Sequence, residues 1–585
     1  MPKLVVVGAG FHGLIAARTY LQLSDNDILI IDSASDIGGT WARERLYPNL
    51  LSQNSYDHYE FGDLPLATAV PDHPSEANDD QRIRLNWKVE HISRLPSRQW
   101  TLQIVAQTGS VTTPFTVMCD KLVLATGLTS EPNIPDIPQI GDHPIPAIHA
   151  RDVGQFCREN LGYQPIPSPR QYLKCGAQHY SFPRSVVIYG GAKSAFDFIH
   201  LFRSLHRNSG SLDLEAHPLL PVQVHWIIRE DGHGPAWMTQ PTTRLGRKQV
   251  SSDQAVCTRM VGMLGRCVHE VPKRVVLLHE NPVGRLLIHQ AWKQVDATIH
   301  ASANYDSQPK MEKLRPAASV IECTSLGGIA NHPDLWDTIR GPNVHIRRSS
   351  IVQFSGVSPE LRIDLMDGTH IPSVDLIVHA TGWKLSIPIP FDPPTLGAHL
   401  GLPCSSISAQ AYDWAPLEQK AESKMRYIFD FSIFKNGTPP TSNAYRLFRR
   451  VAAPSLIAEG DRSFAIMGAV YTGNVTVVAE VQALWVAAFL TGGLDHDDHK
   501  GPLASSQRVY ETVADDVVWG RLTGAGLSVD TFKYNDMLMN DLGLDPYREG
   551  GRWWKELMAV YAPSSYAGIV EEWVALRKCG ENKIG

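Results

Sequence analysis

Residues 3–41 read KLVVVGAGFHGLIAARTYLQLSDNDILIIDSASDIGGTW. The apolar run Leu4–Val7 is typical of a central parallel strand that is buried on both faces. It leads directly into a glycine-rich turn and then into a helix in which Leu14, Ala17 and Leu21 recur on one face. A strand, a glycine-rich turn and a helix in this order predict a dinucleotide-binding unit.

The residues of this turn have separate expected tasks. Gly8 allows a sharp turn, Gly10 allows the backbone to approach a pyrophosphate, and Gly13 allows the helix to pack closely on the sheet. The free N–H groups and the dipole at the helix N-terminus favour an anion there. The next strand, Ile28–Ile31, ends in Asp32, whose carboxylate can bind ribose hydroxyls and repels a 2′-phosphate. This unit therefore suits FAD or NAD rather than NADP.

A second unit begins with RSVVIYGGAKSA at residue 184. Ala192 replaces the middle glycine of the fingerprint, and the following strand ends in Arg229 instead of a carboxylate. NADP sites place a guanidinium at this position for the 2′-phosphate, although a lone arginine at a strand end is also a common surface charge. Lys193 either adds a charge to the site or lies on the helix surface. The predicted contacts of this turn are Gly190, Gly191, Lys193, Ser194 and Ala195.

A strand that runs into Ala-Thr-Gly occurs twice, at residues 121–127 and 375–382, each time downstream of a glycine-rich turn. Small residues are needed where a backbone meets a ligand. Two copies of this two-part pattern predict two nucleotides on one chain. The predicted contacts are Ala125, Thr126, Gly127, Thr381 and Gly382.

The sequence between residues 38 and 65 adds GGTW, YPN, QNS and YEFGDLP. This combination resembles the flavin-containing monooxygenase family, class B FAD/NADPH-dependent monooxygenases, particularly its fungal branch. The resemblance implies FAD in the first unit, NADPH in the second, and oxygen transfer through a C4a-hydroperoxyflavin. It further implies a catalytic role for Asn54 beside the flavin C4a, although Asn54 could instead only cap a turn. The FAD contacts that it implies are Gly39, Thr40, Trp41, Gln53 and Val89.

Two features depart from the family pattern. His149 matches a signature histidine, but His143 and Ile145 replace the Phe and Gly that precede it, so His149 is either a signature residue or a linker histidine with a hydrogen-bonded ring. The segment between Pro65 and the next expected strand, at residues 83–89, is shorter than in the family. Such a loss could impair flavin retention or admit water to the site.

Composition limits the class of protein. The chain has 585 residues, 43% hydrophobic and 19% charged residues, and a net charge of −6 without a basic block, which argues against nucleic-acid binding. Its eight cysteines are scattered without a CxxC, which argues against a metal site and a flavin disulphide reductase and favours reduced thiols in the cytoplasm. The chain starts with a strand, which leaves no room for a signal peptide. The apolar run 475–490 is too short to cross a bilayer.

The predicted fold class is α/β, with two Rossmann-like units and a mainly helical C-terminal extension. The FAD unit is expected to be discontinuous, at residues 1–140 and 374–500. The NADPH unit is expected at 181–373, with a helical insertion at 239–316 that either lines a substrate entrance or only packs. Residues 501–585 form the predicted extension.

The leading functional hypothesis is a monooxygenase that uses FAD, NADPH and O2 on a lipophilic small molecule. N- or S-oxygenation or hydroxylation in secondary metabolism is expected. The alternatives are a Baeyer–Villiger monooxygenase, an NADPH oxidase, or a degenerate protein without turnover. No Ser/His/Asp or paired-carboxylate motif is evident, which agrees with chemistry carried by a cofactor.

Overall fold

The protein is described here by a computed structural model. The described residues are 2–24, 27–65, 82–140, 145–161, 163, 183–205, 221–231, 234–245, 248–265, 278–320, 327–355, 362–403, 412–428, 444–495, 501–523 and 526–581. None of the helices within these ranges combines the length and apolar character that a bilayer span requires.

The first sheet has five parallel strands, built around the first strand of the chain. Val6 pairs with Ile30 on one side and with Val123 on the other. Both predicted strands, Leu4–Val7 and Ile28–Ile31, are confirmed. Across the sheet the order is Phe464–Ile466, Lys121–Leu124, Leu4–Val7, Ile28–Ile31 and Ile83–Arg84.

Two helices cover one face of this sheet. Phe11–Leu23 packs against Val475–Leu490, in which every residue from Thr476 onward is buried. Asn474 caps the second helix by accepting a hydrogen bond from the Val477 N–H (3.3 Å). The apolar run is therefore a core helix, as its length predicts.

The second sheet also has five parallel strands, with Ser185–Tyr189 at its centre. The strand Leu376–His379 pairs with Ser185–Tyr189. The predicted boundary at residue 374 is therefore wrong for this strand, because the hydrogen bonds assign it to the second sheet. The order is Val344–Arg348, Gln223–Ile228, Ser185–Tyr189, Leu376–His379 and Ala147–His149.

An antiparallel sheet lies against the first unit. The single strand expected over residues 83–89 is two strands, Ile83–Arg84 in the first sheet and Trp87–Arg94 in the antiparallel sheet. Asn86, with φ 57°, turns the chain between them, since asparagine tolerates the left-handed region. The order is Phe391–Asp392, Trp87–Arg94, Trp100–Thr108 and Val111–Cys119, in which the last three strands are antiparallel and the short Phe391–Asp392 pairs in parallel with Trp87–Arg94.

The two connections between the units run side by side. Glu131–Pro132 pairs with Trp383–Lys384 in a short antiparallel ladder, and the Asn133 N–H donates to the Gly382 carbonyl oxygen (3.0 Å). The chain therefore enters and leaves the second unit at one place.

The insertion at 239–316 is less helical than expected, because it starts with the hairpin Thr242–Leu245 and Lys248–Ser251. The β-branched Thr242, Thr243 and Val250 favour strands there. Outside residues 246–247 and 266–277, its helices are Ser252–Val256, Arg259–Leu264, Pro282–Ala303 and Pro309–Glu312.

The remaining elements complete both units. The second unit carries a small antiparallel sheet of Ile351–Ser355, Arg362–Leu365 and His370–Pro372. The C-terminal extension packs on the first unit, with Phe532, Tyr534 and Trp573 in the same apolar core as Leu4. Its helices are Ser506–Thr523, Thr531–Asp541, Trp553–Met558 and Ile569–Glu581. Elsewhere the helices are Val153–Leu161, Lys193–Ser204, Leu335–Arg340, Thr395–His399, Ala415–Ile428 and Pro454–Ala458.

Candidate dinucleotide sites

The first glycine-rich turn is packed so closely that side chains are excluded. Gly8 has φ 115°, and a Cβ on it would lie 2.3 Å from the Ala125 carbonyl oxygen. A Cβ on Gly13 would lie 1.8 Å from the Gly8 carbonyl oxygen. A Cβ on Gly39 would lie 3.0 Å from the Cα of Gly10. The backbone of the turn at Gly38–Gly39 therefore packs directly on the backbone of the first glycine-rich turn.

The helix after this turn presents free donors. Phe11–Leu23 has no side-chain cap and no acidic residue in its first turn. Asp32, at the end of the neighbouring strand, accepts hydrogen bonds from the N–H groups of Ala9 (2.6 Å) and Ala34 (2.8 Å). Each carboxylate oxygen keeps a second acceptor site for a ribose hydroxyl. The arrangement fits the pyrophosphate and adenosine ribose of FAD.

Further predicted FAD contacts surround this turn. Gly39–Trp41 forms a short 3-10 helix, in which the Thr40 hydroxyl lies 3.3 Å from that of Thr129. The Trp41 ring contacts Tyr59 edge-on, with 5.0 Å between centroids. Burial raises the pKa of Tyr59, so this ring is neutral. Beyond Ala125, Thr126 is half-buried and Gly127 has φ 72°.

Val89 differs from the other predicted contacts. Its side chain is buried in the apolar core between the antiparallel sheet and the first sheet. Only its backbone is left to meet a ligand.

Residues 52–54 join the two units. The Gln53 side-chain oxygen accepts a hydrogen bond from the Ile329 N–H (3.1 Å), and the Asn331 amide donates to the Ser52 carbonyl oxygen (2.6 Å). The Asn54 amide donates to the Gly473 carbonyl oxygen (3.3 Å), which lies just before the helix Val475–Leu490. The Ser52 hydroxyl accepts from the Asn54 N–H (3.1 Å), so Ser52 and not Asn54 caps this turn.

The second glycine-rich turn repeats the packing of the first. Gly190 has φ 140°, and a Cβ on it would lie 2.1 Å from the Ala380 carbonyl oxygen. A Cβ on Gly191 would lie 2.7 Å from the Gly234 carbonyl oxygen. The helix Lys193–Ser204 has no side-chain cap and no acidic residue in its first turn, which contains Ser194 and the buried Ala195. Its open N-terminus fits a second pyrophosphate.

Lys193 lies where the two units meet, and its ammonium group already has an acidic partner. A Cβ on Gly328 would lie 2.8 Å from the Lys193 Cδ, so the lysine stem packs on the strand that reaches Gln53. Its ammonium group forms an ion pair with Asp197 on the same helix. Of the two expected roles, this pairing favours the structural one.

Arg229 has a cationic neighbour that the sequence did not reveal. Arg229 is exposed after the strand Gln223–Ile228, and Ile228 pairs with Arg348 on the adjacent strand. The Arg348 guanidinium donates to the carbonyl oxygens of Arg229 (3.4 Å) and Lys313 (3.3 Å). Two arginines therefore lie at neighbouring strand ends. The two consecutive arginines at the end of Val344–Arg348 could have indicated a second phosphate-binding cation. Arg348 lies 119 residues from Arg229, however, and the sequence does not show that the two are neighbours.

Thr381 and Gly382 lie where the two units connect. The Thr381 hydroxyl donates to the Asn133 carbonyl oxygen. His149 Nε2 bonds to the Gly382 carbonyl oxygen (2.9 Å), and its Nδ1 accepts from the Arg151 N–H (3.2 Å). Both ring nitrogens of His149 are therefore hydrogen-bonded, as one of the two expected roles requires, but His149 ends a strand of the second sheet instead of lying in a linker.

One of the residues that depart from the family pattern lies within the described ranges. Ile145 is buried in an apolar cluster with Val187 and Tyr189. His143 and the shortened segment at 66–81 lie outside the described residues.

Comparison with known proteins agrees with this geometry. Residues 2–235 match the family model described as pyridine nucleotide-disulphide oxidoreductase. The chain is 40% identical to the FAD-dependent monooxygenase avaB of Aspergillus versicolor, covering 98% of this chain and 99% of the relative. It is 30% identical to the FAD-dependent monooxygenase resA of Aspergillus sclerotiorum, covering 98% of each. The alignment with avaB spans 724 positions, so at least 139 of them (724 − 585) have no counterpart here.

Solved structures with the same fold include two monooxygenases. The polycyclic ketone monooxygenase of the fungus Thermothelomyces thermophila superposes with a TM-score of 0.54 at 14% identity, covering 98% of this chain and 88% of that one. The cyclohexanone monooxygenase of Rhodococcus sp. Phi1, solved with NADP+, gives a TM-score of 0.53 at 13% identity, covering 93% and 97%. These matches confirm the predicted fold class. On the full-length identity to its fungal relatives, the chain belongs to the FAD-dependent monooxygenase family and is an oxidoreductase, as its motifs predict.

Proposed function

We propose that the protein is a monooxygenase that binds FAD in the first unit and NADPH in the second and transfers one oxygen atom from O2 to a lipophilic small molecule. The observation that carries the proposal is the contact of Gly328 and Ile329 with Lys193 on one side and Gln53 on the other. These contacts link the second glycine-rich turn to the turn that bears Asn54. Two nucleotides bound at these turns would meet where the two units touch.

The first unit would hold FAD through its backbone. The N–H groups at the start of Phe11–Leu23 would bind the pyrophosphate, and Asp32 would accept the ribose hydroxyls. The close contact of Gly10 with Gly39 leaves the approach to these donors free of side chains. Bound FAD, once reduced by NADPH, supplies the activation of O2.

The second unit would select NADPH over NADH. Arg229 and Arg348 are both suited to the 2′-phosphate, because a guanidinium can donate two parallel hydrogen bonds to it. Arg229 stands directly after the strand Gln223–Ile228, where an NAD site has a carboxylate, and the exposed Glu230 and Asp231 follow it.

Asn54 would orient and shield the reacting oxygen. Its amide has two N–H donors, and the carbonyl oxygen of Gly473 accepts from the amide. A second donor is then available to an oxygen atom on the cofactor side. Aromatic rings beside the first glycine-rich turn, with Phe11 stacked on Phe61 at 4.8 Å and Trp41 against Tyr59, provide apolar surroundings on the FAD side that exclude water.

A lipophilic substrate suits this setting. The fungal relatives are named only as FAD-dependent monooxygenases, and the motifs shared with the fungal branch point to secondary metabolism. A soft nucleophilic nitrogen or sulfur, or an activated carbon, is the expected oxygen acceptor.

The decisive experiment is anaerobic reduction of the FAD-loaded protein. NADPH is expected to bleach the flavin absorbance much faster than NADH, and oxygen in the presence of a substrate extract is expected to give a product labelled from 18O2. Protein that retains FAD but is not reduced by NADPH would exclude the proposal. Protein that is reduced but yields only hydrogen peroxide with every substrate would be an oxidase.

A further inference from the structure

A buried carboxylate from the insertion reaches the turn that carries Asn54. Asp253 lies in the helix Ser252–Val256, which Ser251 and Gln254 begin with reciprocal hydrogen bonds. One oxygen of Asp253 accepts from the Ser55 N–H (2.6 Å) and the Ser55 hydroxyl (2.8 Å). The same oxygen lies 3.2 Å from His58 Nδ1.

The charge of Asp253 is compensated locally. Burial raises the pKa of its carboxyl, but hydrogen bonds from His58, Ser251 and Ser55 outweigh the effect, so the pKa lies well below its usual range. Asp253 is therefore an ionised acceptor throughout the working pH range, and His58 Nδ1 must be the donor in this pair.

The turn is also held from its other side. The Thr476 hydroxyl, in the first turn of Val475–Leu490, donates to the His58 carbonyl oxygen. Gln254 adds a hydrogen bond to Asp57 (3.1 Å). Residues 55–58 are thus fixed between the insertion and the helix whose N-terminus follows Gly473.

The insertion that supplies Asp253 is itself anchored. Arg259 forms a bidentate ion pair with Asp536 (2.5 and 2.8 Å) in the C-terminal extension. The Cys257 carbonyl oxygen accepts from the Tyr561 N–H (2.8 Å). Asp253 is therefore held by contacts with an element that lies outside both nucleotide units.

We propose that Asp253 is a positioning residue of the oxygenation site, which fixes the direction of the Asn54 amide by holding the Ser55 N–H and hydroxyl. The inference rests on the proposed function, because Asn54 acts there. It assigns the insertion a direct part in the site, beyond packing. The reacting oxygen would lose a fixed donor when this carboxylate is removed.

Hydrogen exchange tests the positioning without any cofactor. In the protein without FAD, Asp253→Ala is expected to speed amide exchange in a peptide covering residues 52–60 by roughly tenfold or more, because the Ser55 N–H loses its acceptor. Asp253→Asn keeps an acceptor oxygen and is expected to give an intermediate rate. Asp516→Asn is the matched control, since it also removes a buried charge, one that faces Arg450 at 3.7 Å. It is expected to leave this peptide unchanged.

The functional arm uses the FAD-loaded proteins. Without substrate, Asp253→Ala is expected to release hydrogen peroxide from NADPH and O2 roughly ten times faster than the parent, with flavin reduction by NADPH within about twofold of it. Unchanged exchange at 52–60, or unchanged peroxide release despite faster exchange, would overturn the inference. If Asp253→Ala does not fold, Asp253→Asn is compared with the parent in both amide exchange and peroxide release. Failure of the parent to be reduced by NADPH would instead reject the proposed function.

Discussion

Asn54 is the side chain whose replacement tests the oxygenation site most directly. We expect Asn54→Ala to keep its FAD, because the residue lies away from the first glycine-rich turn and only its amide is removed. We also expect more peroxide per NADPH consumed, since the donor to the reacting oxygen is lost. Peroxide yield and the flavin spectrum measure the two effects. Asn160→Ala, on the helix Val153–Leu161, is the control, and equal yields in both variants would remove Asn54 from the site.

Arg229 and Arg348 are the side chains that we propose to set the choice of nicotinamide nucleotide. We expect Arg229→Ala and Arg348→Ala each to raise the KM for NADPH about 10- to 100-fold, since a hydrogen bond to a charged group contributes about 1.5–3 kcal/mol. The KM for NADH should hardly change. Steady-state oxidation of NADPH and of NADH measures the ratio of the two KM values. The exposed Arg285→Ala serves as control, and a parallel rise for NADH would contradict a phosphate contact.

Sequence reveals site residues when they are close neighbours in the chain. The grouping of Gly8, Gly13 and Asp32 around one turn was predictable because strand, turn and helix follow one another directly. Arg348 was not, since it joins Arg229 only through the order of strands in the sheet. Asp253 was missed for the same reason, because 198 residues separate it from Ser55.

At the scale of one element, the helix Val475–Leu490 carries a titratable group in its core. Glu480 accepts a hydrogen bond from the Gly62 N–H (2.5 Å), and burial raises its pKa from 4.5 to about 7. Folding therefore favours the protonated form. Stability conferred by this carboxyl is present below about pH 4.5 and is lost as pH rises to about 7, by roughly 2–3 kcal/mol in total.

Glu480→Gln tests this dependence. Glutamine keeps an acceptor for the Gly62 N–H but cannot ionise. We expect the variant to match the parent at pH 5 and to melt at a higher temperature at pH 8, as measured by calorimetry. The half-buried Glu511→Gln should show the pH dependence of the parent over this range, because the hydrogen bond from Lys420 lowers the pKa of the Glu511 carboxyl. Equal slopes for Glu480→Gln and the parent would contradict the assignment.

Helices and strands with a regular local pattern were predicted well. Which strands pair with one another was predicted less well. The strand Leu376–His379 was placed in the wrong unit, because Ala-Thr-Gly follows a strand of each sheet and the local sequence does not say which. The strand expected over residues 83–89 is broken at Asn86, whose left-handed conformation the apolar pattern does not record.

At the scale of the whole molecule, Arg259 fastens the insertion to the C-terminal extension. Its guanidinium also lies over the rings of Tyr547 (4.6 Å) and Tyr561 (5.0 Å). We expect Arg259→Met to lower the free energy of unfolding by about 3 kcal/mol, because the half-buried Asp536 would be left without its cation. Urea unfolding measures the loss. Adding Asp536→Leu should restore much of it, and failure to do so would show that the arginine acts through its ring contacts.

The order of strands in the first sheet affects how this protein is made. The strand Lys121–Leu124 can pair on its outer side only after Phe464–Ile466 has been synthesised, 340 residues later (464 − 124). All strands of the second sheet, in contrast, lie between residues 147 and 379. At about 5–20 residues per second, the ribosome needs roughly 17 to 70 s to cover this gap. During that time the nascent chain presents an open sheet edge, which is a site for aggregation. Low yields from rapid heterologous expression, and improvement by chaperones or slower translation, are therefore expected.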